Sequence, residues 1–253
     1  FSSDSYRNMY IFLTYSVLNL RVIVFILLSN LIFTQTKNSI KNILIDKEYD
    51  SKSFFVGATI GHGELLRPNI TQLFLNEFTY LTPANSFKQT AIHPRPGVWN
   101  WKKYDDFIDF AEKNNLTLRV HGPVSPQASK WAKNDSRTKE ELLKNMEEFF
   151  TELCIRLNDE KTVKWMDVVN ETVLRNGEWF KEKPGDSAWE NPWTQIGLND
   201  DGFPIYIVKA FEIANKHAPN VKLVYNHNGG MGEKNVGKSI RNDHIFKKSR
   251  IKS

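Results

Sequence analysis

The 253-residue chain has a single cysteine, Cys154. One thiol excludes an internal disulfide framework and a cysteine-rich metal site, and the neighbours Phe150, Leu153 and Leu157 mark it as a core residue. Other chemistry is missing too. No Gly-rich phosphate loop follows the first predicted strand, because Gly61-His62-Gly63 is too short for one. There is no metal-ligand cluster and no nucleophilic Ser or Cys motif, so the sequence predicts neither metal nor cofactor. Charge does not support nucleic-acid binding. The formal net charge is +5, but Lys234–Ser253 holds seven Lys or Arg and one Asp, a net of +6, which leaves −1 for the remainder. Without interleaved aromatics, that tail reads as solvated.

Long hydrophobic runs are scarce. One, Val22–Phe33, is twelve residues long, which suits a secretory h-region and is short for a membrane span. Met9–Phe33 would be long enough to span, but Asn19, Arg21 and Asn30 interrupt it. The expectation is a signal peptide rather than an anchor within residues 1–35, and a secreted or cell-surface protein. Residues 36–53 read as a linker, polar and unperiodic between Ile40 and Asp50. Residues 54–233 read as the folded domain and 234–253 as the basic tail.

Within the folded part, strand and helix patterns alternate. Strands are predicted at Phe54–Thr59, Glu77–Leu81, Leu116–Val120, Trp165–Glu171 and Val221–Tyr225. Helices are predicted at Asn69–Asn76, Lys103–Asn114, Thr138–Leu157 and Ile205–His217. The third of these has Leu142, Met146, Phe149, Leu153 and Leu157 on one stripe. Trp99 and Trp101 are read as packing down the loop before the second. A long Gly- and Pro-rich segment, Leu174–Gly202, carries Trp179, Trp189 and Trp193, three candidates for stacking on sugar rings or for folding the loop onto itself.

Alternation of this kind calls for parallel strands joined by right-handed crossovers. A doubly wound sheet and a (β/α)8 TIM barrel both satisfy it, and the barrel is favoured because its sites gather residues from several strand ends. Here those ends hold Asn85, His121, Asn170, Glu171 and Asn226. Taken alone, Asn170-Glu171 would read as a helix cap. Beside the other strand ends it reads as an acid next to a hydrogen-bond donor in a half-dry cleft.

Over about Phe54 to Asn228 the assembled segments resemble glycoside hydrolase family 10, the retaining endo-β-1,4-xylanases. Val168-Val169-Asn170-Glu171 resembles the strand-four motif, which implies Glu171 as acid/base and Asn170 as a contact to the sugar 2-hydroxyl. Thr82-Pro83-Ala84-Asn85-Ser86-Phe87-Lys88 resembles the second-strand motif, whose Asn and Lys hold the glycone sugar. Arg119-Val120-His121 resembles the third-strand motif, and Leu223-Val224-Tyr225-Asn226 the fifth strand. The resemblance implies substrate-binding roles for Asn85, Lys88, His121 and Asn170, xylan or a related β-glycan as partner, no protein partner, and a monomer when complete. The chain departs from the family at Ala84 (Glu in the motif), Gln89 (Trp) and Ser125-Pro126 (a Trp-His pair).

The family's nucleophile is a Glu on strand seven, and the chain is read as supplying only about the first five βα units. Three more would need about 90 residues, whereas 25 follow Asn228. The nucleophile is therefore expected to be absent from this chain, which is read as a C-terminally truncated, inactive form. Another β-glycanase on the same barrel and a non-catalytic glycan-binding protein are the alternatives.

Overall fold

The computed structural model of the chain describes residues 39–46, 55–134, 136–174, 178–180 and 190–227. The region read as a signal peptide, the basic tail and Trp189 lie outside them. No helix among the described residues is long and apolar enough to cross a membrane.

Two compact units are present. The first contains helix α1 (Ile40–Asp46) and residues Gln72–Phe78. Helix α1 falls inside the stretch read as linker. Ser39 starts it, its hydroxyl accepting from Asn42 N at 3.2 Å, and Ile40 N donates to Glu77 Oε2 at 2.7 Å. Ile40, Ile43 and Leu44 have helical spacing, a pattern too short to stand out from polar neighbours.

The second unit contains strands β1 (Gly57–Ile60), β2 (Tyr80–Pro83), β3 (Thr117–Val120), β4 (Val163–Asn170) and β5 (Lys222–Asn226). They form one parallel sheet in the order β1-β2-β3-β4-β5. That order settles the choice left open by alternation. A doubly wound sheet reverses direction at a switch point, whereas each strand here is added beside the one before it, as in the first five strands of a (β/α)8 barrel.

Between the strands lie α2 (His62–Leu65), α3 (Pro68–Glu77), α4 (Gln89–Ile92), α5 (Lys102–Lys113), α6 (Lys139–Asp159) and α7 (Ile205–His217), with a short 3-10 turn at Pro192–Ile196. The Gly61-His62-Gly63 loop is in fact the start of α2, with the Glu64 carboxylate accepting from Gly61 N at 2.8 Å. The second strand begins at Tyr80 rather than Glu77, because α3 runs on through Glu77.

Strands β2 and β3 bury one face by alternation, whereas β4 is buried on both faces from Met166 to Asn170. Leu81, Leu118, Val120, Met166 and Val168 are fully buried, and the intervening Tyr80, Thr82 and Arg119 are not. Helix α6 opens with a capping box, Glu141 N to Thr138 Oγ1 at 3.1 Å and Thr138 N to Glu141 Oε2 at 2.8 Å. Its stripe of Leu142, Met146, Phe149, Leu153 and Leu157 is completely buried, and α6 packs along α7. Cys154 lies in the same layer, where burial pushes its thiol well above the ordinary range.

Candidate active site

The strand-end residues named above all lie at the C-terminal ends of β2 to β5 or in the loops that follow. Asp167 organises the middle. It is fully buried, and its Oδ1 accepts from Arg119 Nε at 2.9 Å and Nη2 at 2.6 Å. Its Oδ2 lies 2.9 Å from His121 Nδ1. A carboxylate only accepts, so His121 carries its proton on Nδ1, and Nε2 is the ring atom left for a ligand. A charged pair inside a strand is paid for by such contacts, and here they fix the imidazole at the end of β3.

Past Asp167, the register of β4 against β5 shifts between Asp167 and Val169. Such irregularities re-aim the side chains that follow. Asn170 is buried, its N donates to Val124 O at 3.1 Å, and its Oδ1 accepts from Asn226 Nδ2 at 2.7 Å. With its carbonyl engaged, Asn170 has its amide NH2 as the group to offer a ligand. Gly122 (φ +48°) lies against it so closely that a Cβ there would stand 2.5 Å from Asn170 Cβ.

Glu171 itself has φ +54°, in the left-handed region, and its N donates to Asn226 O at 3.2 Å. A non-glycine residue there costs about 1 kcal/mol or more, and strain of this kind clusters at functional sites. Glu171 is half-buried, and its negative charge acts on Lys88 and on His227. Burial lowers Lys88 to about 8, and the negative charge of Glu171 opposes that shift, so Lys88 is still a cation at neutral pH. Burial also lowers His227, again opposed by Glu171. Both of its ring nitrogens are buried and have no hydrogen-bond partner among the described residues.

Lys88 leaves the second-strand loop almost fully buried and donates from Nζ to the side-chain carbonyl of Gln127. Phe87, packed on Tyr104 at 5.0 Å, seats that loop. Asn85 is exposed at its tip, with its carbonyl accepting from Lys88 N at 3.3 Å. The strand-end set is thus brought together, with Asn85 at the rim.

The tryptophans divide. Trp193 is completely buried, with Nε1 donating to Ser125 O at 2.9 Å, so it cannot stack on a sugar and instead pins the loop after β3. Trp179 is half-buried, edge-packed on Phe203 at 4.9 Å and bonded through Nε1 to Gly202 O at 3.2 Å. Trp99 and Trp101 stack at 5.5 Å, with His93 on Trp99 at 3.9 Å and the Arg156 guanidinium 3.9 Å from the Trp101 ring, a packing role as expected.

Asp167, Gln127 and His227 were not singled out by the sequence. Asp167 could have been, since a carboxylate inside an apolar strand demands a partner. Gln127 and His227 carry no such signal, because their neighbours come from loops distant in sequence. Among the described residues no group of three His, Cys, Asp or Glu side chains could hold a metal ion.

A model of the family described as glycosyl hydrolase family 10 matches residues 45–242. The chain is 32% identical over 181 residues to a beta-1,4-xylanase of Dictyoglomus thermophilum, covering 71% of this chain and 46% of that protein. It is 33% identical over 191 residues to endo-1,4-beta-xylanase A of Caldicellulosiruptor saccharolyticus, covering 73% and 51%. The chain thus spans about half the length of each of these two relatives. Among solved structures it is similar to an endoxylanase retrieved from a sugarcane soil metagenome (TM-score 0.62, 27% identity, 79% of this chain and 57% of that one). It is also similar to native xylanase 10B from Thermotoga maritima (TM-score 0.56, 29% identity, 68% and 50%).

Proposed function

The chain belongs to glycosyl hydrolase family 10, and on that premise we propose that it serves the hydrolysis of internal β-1,4 bonds in xylan by a retaining two-carboxylate mechanism. One observation carries the reading: Glu171 stands in a strained backbone conformation at the end of β4, beside the buried Lys88 and the hydrogen-bonded Asn170–Asn226 pair.

In the first step the protonated Glu171 donates its proton to the glycosidic oxygen as the bond from that oxygen to the anomeric carbon breaks. A second carboxylate, about 5 Å away, attacks the same carbon and forms a glycosyl ester. Glu171, now a carboxylate, then takes a proton from water as the water oxygen attacks the anomeric carbon and releases the ester. The two inversions restore the starting configuration and the acid. Asn170 donates to the 2-hydroxyl, while Lys88, His121 and Asn85 hold the glycone sugar. The second carboxylate belongs to strand seven of such a barrel, beyond the five described strands.

Secretion is part of the same proposal and rests on Val22–Phe33; intact Met9 in a membrane fraction would count against it. So is a monomeric state for the complete protein. Ala84, Gln89 and Ser125-Pro126, which replace sugar-holding residues of the family motif, favour one second reading, a related β-glycan as substrate. The full-length protein is to be assayed on xylan, mixed-linkage glucan and aryl glycosides, with the anomer of the first product followed by NMR. The proposal expects internal cleavage of xylan and the β-anomer first. The α-anomer first would refute retention, and preference for glucan would move the substrate.

A further inference from the structure

Among the described residues, two that are not glycine have positive φ, Asn115 at +52° and Glu171 at +54°. Asn115 sits in the turn between α5 and β3, and asparagine tolerates that region. A glutamate does not share the tolerance, so the conformation of Glu171 lasts only where its neighbours over-determine it. The bonds that do so come largely from β5. Before Glu171, Asn170 Oδ1 accepts from Asn226 Nδ2 at 2.7 Å, and at Glu171 the backbone N donates to Asn226 O at 3.2 Å. After it, the hydroxyls of Thr172 and Tyr225 bond to each other. Tyr225 and Asn226 are consecutive residues of β5, so one strand grips the chain on both sides of Glu171.

The surroundings make the Thr172–Tyr225 contact firm. Thr172 is fully buried, and its backbone O accepts from Phe180 N at 2.8 Å, which ties down the chain beyond Glu171. Tyr225 pairs with Val169 in the sheet, and Phe211 of α7 lies against its ring at 6.5 Å and 18°. A phenol held by its own strand and by a helix moves little, so its hydroxyl sets where Thr172 stands. Without that bond the side chain just past Glu171 is released from β5, and Glu171 is freer to relax towards negative φ. Backbone rotation there carries the carboxyl group with it. Proton transfer needs the donor within about 2.6–3.2 Å of the oxygen it serves, so a small swing matters.

We propose that Tyr225 and Thr172 are positioning residues for Glu171: their hydroxyl pair locks the left-handed conformation and so aims the carboxyl group at the glycosidic oxygen. Both act through Glu171 rather than on the sugar. The inference rests on the reading of Glu171 as acid/base.

The test compares wild type, Tyr225→Phe, Thr172→Val, Thr172→Ser and the Tyr225→Phe/Thr172→Val double variant in the full-length protein. Each is assayed by kcat/KM on xylo-oligosaccharides and on an aryl β-xylobioside whose phenol leaves without protonation, and by thermal melting. A misaimed acid should lower kcat/KM on xylo-oligosaccharides roughly five- to twentyfold in Tyr225→Phe and in Thr172→Val, and leave the aryl substrate within about twofold of wild type. Thr172→Ser restores the hydroxyl that Thr172→Val removes and should recover most of the loss. The double variant breaks the same single bond, so it should lose no more than either single variant. It also leaves no buried hydroxyl without a partner, and therefore decides the matter even if a single variant folds poorly. Equal loss on both substrates, which damage to the fold would give, or wild-type values on both in the folded double variant, would overturn the proposal. Glu171→Ala is run alongside: if it fails to spare the aryl substrate selectively, the premise has failed, and that failure is visible whatever the hydroxyl variants do.

Discussion

Replacing Gly122 with Ala tests how tightly the strand ends are held. Two costs add. At φ +48° an alanine is in the left-handed region, worth about 1 kcal/mol. Its Cβ would also stand 2.5 Å from Asn170 Cβ, more than 1 Å inside an ordinary carbon contact (about 3.5–4 Å). Asn170 cannot simply retreat, because its N is bonded to Val124 O and its Oδ1 to Asn226 Nδ2. Overpacking of this kind costs about 1–3 kcal/mol, so the variant should lose about 2–4 kcal/mol in urea unfolding. Gly97→Ala is the control: φ is +73°, and nothing lies within 4 Å of the added Cβ, so only the backbone cost of about 1 kcal/mol applies. If Gly122→Ala loses no more than Gly97→Ala, the close approach of Gly122 to Asn170 is not what positions the site.

Other outcomes follow from the buried charges. Asp167→Ala leaves the Arg119 guanidinium and the His121 Nδ1–H without their acceptor, and should cost about 2–4 kcal/mol, discounted because Arg119 is a third exposed. Adding Arg119→Met should recover part of that loss in a double-mutant cycle, whereas additive losses would show that the two are not coupled. Lys88 titrates near 8 in the fold, against 10.5 for an ordinary lysine. Between those values the unfolded chain binds more protons, so this group makes stability rise with pH from about 8 to 10.5. Lys88→Met should therefore stabilise the protein below pH 8, by up to about 3 kcal/mol, and the gain should fade towards pH 10.5. A gain independent of pH would contradict this. Trp193→Ala should cost about 3–5 kcal/mol as a core deletion, and Trp179→Ala much less, when both are measured by thermal or urea unfolding.

Elements governed by local periodicity were legible in the sequence. The stripe of α6 is buried as its spacing predicts, and α7 occupies the expected Ile205–His217. The polar strand ends pointed to the candidate site because polar groups closing apolar runs need a reason to be there. What stayed hidden depends on partners distant in the chain. Gln89 reads as an unremarkable polar residue until Asn145, 56 positions away, is brought to it. Trp193 carries no sign that its ring is covered, since a Gly- and Pro-rich segment has no period from which to read an inside. Helix α1 was missed for the opposite reason: its signal is local but only seven residues long.

The most direct measurement is Glu171→Ala in the full-length protein, assayed on xylan and on an aryl β-xylobioside whose phenol leaves without protonation. Loss of a general acid should lower xylan hydrolysis by about 10²–10⁴. The activated substrate should still release its phenol in a burst, followed by slow turnover, because the first step no longer needs the proton and the second has lost its base. Xylan hydrolysis within tenfold of wild type, or equal loss on both substrates in a normally folded variant, would contradict the assignment of Glu171 as acid/base.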